Sequence, residues 1–125
     1  MMGKRSMHTL HAAAALLAFL FAWAPGAQAG AGGGEASHEI DMVKGHLFKP
    51  AVTHVRPGDA ILFINRDKDL HSLSLPGREK LLDEEFIDPG HQFRFHVPKD
   101  AKPGTWPLAC TIHLEMKARI IVDAK

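Results

Sequence analysis

The sequence predicts an all-β domain, a Greek-key β-sandwich of seven to eight strands. Three observations predict it. The apolar segments are short, and Pro, Gly and Asp divide them at near-regular spacing. Several alternate apolar and polar residues with the period of two expected of a half-buried strand. No segment carries a convincing helical period. Together these describe an antiparallel sandwich with short connections.

Taken in order, Ile40 to Val43 is the first strand candidate. Phe48-Lys49-Pro50 makes a bend, and Val52 to Val55 comes next. Arg56-Pro57-Gly58-Asp59 is a turn with Pro at its second position, where its fixed φ fits. Ala60 to Asn65 is an apolar run of strand length. Arg66 to Leu70 is a charged loop, and His71 to Leu75 a short strand ended by Pro76-Gly77. Arg78 to Glu85 is the best helix candidate, charged and short. Gln92 to Val97 alternates, with Phe93, Phe95 and Val97 on one face. Thr105 to Ala109 and Lys117 to Val122 are the closing strands. Their turn signals are Pro103-Gly104 and the loop between them.

The N-terminal stretch is of another kind. Lys4 and Arg5 precede an apolar run from His11 to Ala24, which Pro25-Gly26 breaks and Ala27-Gln28-Ala29 succeeds. That order is a secretory signal peptide over residues 1–29. The run is short for a spanning helix, which needs about 20 residues. Residues 30–37, rich in glycine, read as a flexible leader, and residues 38–125 as the ordered domain. Loss of the signal segment removes Lys4 and Arg5 and leaves 13 basic against 14 acidic side chains. That balance argues against nucleic acid, and against a membrane surface once the segment is cleaved.

The chain has one cysteine, Cys110, so no internal disulfide is possible. A single thiol in an exported protein is an intermolecular partner, a reactive group or a metal ligand. Its surroundings favour the last. Cys110-Thr111-Ile112-His113-Leu114-Glu115-Met116 puts thiolate, imidazole and thioether into one tight loop between two strands. Taken singly, a Cys in a strand is usually a small buried side chain and a Met is core filler. The conjunction of the only Cys, a His at +3 and a Met at +6 is what points to a metal. A structural zinc prefers four Cys or His ligands. Thiolate, two imidazoles and a weak thioether suit copper. The second imidazole must come from elsewhere, and both His71 and His91 are placed to supply it.

From His38 to Ala124 the chain resembles the cupredoxins, the small blue copper proteins of the plastocyanin and azurin type. The motifs are Phe48-x-Pro50, Arg56-Pro57-Gly58-Asp59, Phe63-x-Asn65-x-Asp67, His71-Ser72-Leu73, Asp88-Pro89-Gly90, Gly104-Thr105-Trp106 and Cys110-x-x-His113-x-x-Met116. The spacing of the last is most like the short ligand loop of amicyanin. The resemblance implies one copper per chain, cycling between Cu(I) and Cu(II). It makes His71 the upstream ligand in preference to His91, Cys110 the thiolate, His113 the exposed imidazole and Met116 the axial ligand. Many family members carry Asn directly after the first ligand His. Here that residue is Ser72, whose shorter side chain predicts a looser tie between the two ligand segments.

The function so implied is a periplasmic carrier of single electrons. Its redox partners would be of the cytochrome, dehydrogenase or oxidase kind, and monomer is the default state. A copper-binding or copper-delivery protein is the alternative. Such a protein would usually show Met or His clusters, and after residue 29 the only Met residues are Met42 and Met116. No His-x-His pair exists to build a catalytic copper cluster, so an enzyme is not expected.

Overall fold

A computed structural model describes residues 37–125 of the chain. The expected signal segment and all of the expected leader but its last residue lie outside the described residues. Nine strands succeed one another: β1 (Ser37–Val43), β2 (Leu47–Lys49), β3 (Val52–Val55), β4 (Ala60–Asn65), β5 (His71–Leu73), β6 (Glu85–Ile87), β7 (Gln92–His96), β8 (Gly104–Ala109) and β9 (Lys117–Val122). One sheet has the order β2-β1-β4-β7, another β3-β9-β8, and β5 and β6 form a short ribbon.

Seven of these strands fall where the sequence pattern predicts them, and Ser37, expected in the leader, is part of β1. Two strands have no signature in the sequence. Leu47–Lys49 turns back on β1 before the bend at Pro50, with Val43 opposite Leu47. Glu85–Ile87 pairs with His71–Leu73. Both have three residues, too few to show a period. The helix candidate Arg78 to Glu85 is a compact loop that runs into the start of β6. Leu81 and Leu82 both donate backbone hydrogen bonds to the Arg78 carbonyl. Leu75 N–H then donates to Leu82 O and ties the loop shut. Two strand pairs, β1 with β4 and β3 with β9, run parallel where the sequence predicts antiparallel pairing. The chain leaves the first sheet after β2, enters the second as β3 and comes back as β4, so it rejoins β1 in the same direction.

The core lies between the sheets. Ile61 and Phe63 of β4, Ala118, Ile120 and Val122 of β9, and Trp106 and Leu108 of β8 are all buried. The alternation expected for β7 is present, with Phe95 and Val97 buried and Phe93 packed against the same core. Pro107 sits inside β8 without disrupting the sheet, because β8 is an edge strand and its outer side needs no ladder donor. The Arg56–Asp59 turn is closed by Asp59 N–H on Arg56 O at 3.0 Å. Gly58 takes φ +90° there, the value that the third position of a Pro-Gly turn requires.

The end of β4 positions the charged loop and β6. Asn65 is fully buried. Its amide donates to the carbonyls of Asp69 and Ile87, both at 2.8 Å, and its Oδ1 accepts from Asp67 N–H at 2.9 Å. One side chain thereby joins three elements. In Asn65→Ala these buried groups lose their partner, at a cost of about 1–3 kcal/mol for each group left unsatisfied. Denaturant unfolding of the variant should show a loss of at least about 2 kcal/mol on that basis. A midpoint equal to that of the parent protein would contradict this role.

Candidate metal centre

Two segments meet at one end of the sandwich. Ala109 and Lys117 are paired across β8 and β9, so residues 110–116 are a short excursion with anchored ends. Cys110 N–H donates to Met116 O at 3.1 Å, and Met116 N–H to His113 O at 2.8 Å. The excursion is therefore two hydrogen-bonded turns, and its side chains have defined directions. The second segment is β5. Beyond Leu73 it forms a backbone bridge, Ser74 with Ala109, in which each N–H donates to the other's carbonyl. That bridge lies directly beside Cys110 and places His71 and Ser72 over the loop.

The donor atoms converge. His71 Nδ1 and His113 Nδ1 are 3.1 Å apart, and His113 Nδ1 is 3.6 Å from Cys110 Sγ. All three ligand atoms lie within 4.8 Å of one another. Four-coordinate ions hold nitrogen at about 2.0–2.1 Å and sulfur at about 2.3 Å, which sets N···N at about 3.3 Å and N···S at about 3.6 Å. The residues present thus fit a metal ion of that size. Met116, which ends the loop, is buried. His91 does not join it; it is exposed in the turn before β7.

Each donor is prepared by its neighbours. His71 is fully buried, and its Nε2 lies 3.0 Å from Asp67 Oδ2. The hydrogen bond from His71, with a further one from Lys68 N–H, holds the Asp67 carboxyl below the usual carboxylate range against the opposing effect of burial. Asp67 is accordingly an acceptor, His71 carries its proton on Nε2, and its Nδ1 lone pair faces the cluster. At Cys110 the Ser72 N–H donates to Sγ at 3.4 Å. Burial pushes the pKa of His113 below that of a free imidazole, and the positive charges that His46 and His71 would carry push it the same way. Both effects favour the neutral ring of His113, the form that binds metal.

The looser tie expected at Ser72 is not what the structure has. Thr111 N–H donates to Ser72 Oγ at 2.8 Å. The Ser72 hydroxyl lies 2.7 Å from Thr111 Oγ1, which in turn donates to Glu84. Together with the backbone Ser72 N–H contact to Sγ, Ser72 ties the segments at three points. It suffices because the Ser74–Ala109 bridge has already brought the backbones together.

Three participants are not evident from the sequence pattern. Asp67 stands inside one of the matching motifs, and its place four residues before His71 is the one signal of its role. Glu84, a member of an acidic stretch, ends the hydroxyl chain from Ser72. His46 lies in the turn between β1 and β2, far away in sequence, and no signal marks it. Its ring stacks on His113 with centroids 3.7 Å apart. A second group, His46, Asp67 and Asp69, also brings ligand atoms together. There, however, the Asp67 oxygens are already engaged by His71 and by Lys68 N–H.

Residues 13–122 match the model of the cupredoxin-like domain, and the chain belongs to that family. It is 32% identical over 89 residues to the methylamine utilization protein MauL of Methylophilus methylotrophus, an alignment covering 70% of this chain and 50% of that protein. The chain thus spans about half the length of this curated relative. Among solved structures, a proline-to-phenylalanine variant of reduced amicyanin superposes with TM-score 0.59 at 21% identity, over 70% of this chain and 82% of that one. A purple cupredoxin from Nitrosopumilus maritimus does so with TM-score 0.59 at 16% identity, over 69% and 99%. These likenesses are in fold. The cupredoxin fold with a His/Cys/His group supports one copper per chain as the cofactor.

The Asp67 carboxylate orients His71 through its Nε2. Asp67→Asn keeps an acceptor and removes the charge. Its copper affinity, measured by competition with a chelator, should fall roughly 10- to 100-fold, the usual effect of losing such an outer partner. Unchanged affinity would mean that Asp67 serves the fold alone.

Proposed function

We propose that the protein is a periplasmic blue copper protein that carries single electrons between redox partners, with His71, Cys110, His113 and Met116 as the ligands of one mononuclear copper. The observation that carries this reading is the convergence of two imidazole nitrogens and the only thiol, from two separate segments, on one point. Copper held there supplies a one-electron couple, Cu(II)/Cu(I). The chain supplies everything else. Buried His71, fixed by Asp67, and Cys110, fixed by Ser72, are held by the fold and have no room to rearrange. Met116 closes the loop through its backbone, and by the family resemblance its thioether would be the weak fourth donor to copper.

His113 is the partly exposed member of the group, so it is the path between the centre and a partner. Exposed Ile112 and Leu114 flank it, Leu114 at 77%. With Pro76 they form an apolar rim suited to brief docking. Asp83, Glu84, Glu85 and Asp88 lie to one side and favour a basic partner such as a cytochrome; a dehydrogenase or an oxidase would be the other member of the relay. We place the signal segment at residues 1–29 and the copper domain at 38–125. Met42 and Met116 are both buried, which favours a carrier of electrons over a protein that hands on copper through surface thioethers. No catalytic role is assigned.

Titration of the metal-free protein with Cu(II) should saturate at one ion per chain and produce an intense visible band from thiolate-to-copper charge transfer. Cys110→Ser and His71→Ala should abolish the band, whereas His91→Ala should leave it intact. Met116→Leu should retain copper with a shifted reduction potential. A band that survives in Cys110→Ser would overturn the assignment. A band lost in His91→Ala and kept in His71→Ala would identify the other histidine.

A further inference from the structure

The turn between β1 and β2 contains a residue in an unfavourable conformation. Among the described residues, His46 at φ +56° is the only one other than glycine with a positive φ. Gly45 beside it takes φ +91°. Glycine enters this region most readily; few other residues do, Asn, Asp and His more often than the rest. An outlier of this kind is a reason to ask what the side chain does.

The side chain lies over the metal centre. Its ring is nearly parallel to that of His113, at an interplanar angle of 21°. It also stands edge-on to His71, with centroids 5.7 Å apart. On its far side, Nε2 lies 3.3 Å from Asp69 Oδ2. Asp69 belongs to the charged loop, and its backbone carbonyl is held by Asn65. The ring is thus gripped from two directions by segments distant in sequence.

His113 needs such support more than the other donors do. His71 is buried and hydrogen-bonded to Asp67, and Cys110 is buried under Ser72. His113 sits in a loop at the surface, next to exposed Ile112 and Leu114. Its ring meets the other two donors and His46. A cavity of about 300 Å³ opens beside it, lined by His46, Leu47, Leu114 and Met116 among others. Without the His46 ring, that space would be open to rotation of the imidazole.

We propose that His46 is a positioning residue of the metal centre: stacked on His113 and braced by Asp69, it keeps the His113 ring turned toward His71 and Cys110. The inference rests on His113 being a ligand. The stack is made by two rings of the chain itself, and the proposal extends to the ring in the metal-free protein. Loss of the ring should free His113 to swing into the adjacent cavity and should hasten release of the ion.

Two variants separate the ring from the turn. His46→Asn suits a positive φ and removes the stacking face. His46→Phe keeps an aromatic face and gives up the hydrogen bond to Asp69. In NMR of the metal-free protein, the His113 ring protons should carry a ring-current shift and show cross-peaks to His46. His46→Asn should lose that shift and broaden the His113 signals, and His46→Phe should restore both effects. In the copper-loaded protein, transfer of copper to a chelator should be roughly 2- to 10-fold faster for His46→Asn, the ratio that the worth of one aromatic pair implies. His46→Phe should return it to the parent rate. Unshifted, sharp His113 signals in His46→Asn, or a His46→Phe variant that behaves like His46→Asn, would overturn the proposal. If the parent protein instead shows no thiolate-to-copper band, the ligand reading fails, and the metal-free spectra still decide whether His46 orders the ring.

Discussion

The backbone bridge between Ser74 and Ala109 is the contact on which the metal centre depends. It joins the short ribbon of β5 and β6 to the edge of the β8–β9 sheet. Without it His71 and Cys110 would belong to separate parts of the surface. With it, Ser72 comes close enough to reach Cys110 and Thr111 with one hydroxyl and one N–H. Residue 74 is three beyond one donor and residue 109 is one before another. The fold therefore needs only short, stiff pieces of chain to hold each donor.

From that junction a line of buried polar contacts runs back into the first sheet. Ser72 leads to His71, His71 to Asp67, Asp67 to Asn65, and Asn65 to β6 and the charged loop. Groups of this sort are costly to bury unless each has its partner. Here the partners are present, so the network is rigid. The same loop carries Asp69, which braces His46 over His113. One segment, residues 65–71, thus governs the buried imidazole directly and the exposed one through the stack.

Much of this is legible in the sequence, and the exceptions have physical causes. Strands with a local signature, such as the apolar run of β4 and the alternation of β7, appear where that signature predicts them. The three-residue strands β2 and β6 exist because a neighbour offers a free edge, which no local window records. Arg78 to Glu85 has the charge and length of a helix turn, but Leu82 is drawn back to Leu75 and the segment closes as a loop. The loop from Cys110 to Met116 is visible because its donors are adjacent in sequence. Only the family resemblance marks out His71 from His91, and the structure puts His71 beside Cys110 and leaves His91 exposed in its turn. Ser72 ties the ligand segments more firmly than its length predicts, because the backbone bridge makes length unimportant. His46 is invisible in the sequence because a stack between two loops leaves no trace in spacing.

The contacts that hold His71 and Cys110 are made by the chain itself, so the donors are expected to be assembled before any metal arrives. Crystal structures of the purified protein without metal and with one copper test it most directly. His71, Cys110 and His113 should keep the same rotamers in both, with donor atoms displaced by no more than about 0.5 Å, the tolerance of a preorganised site. A metal-free structure in which His113 or Cys110 points away from His71, and turns inward only when copper is bound, would contradict it.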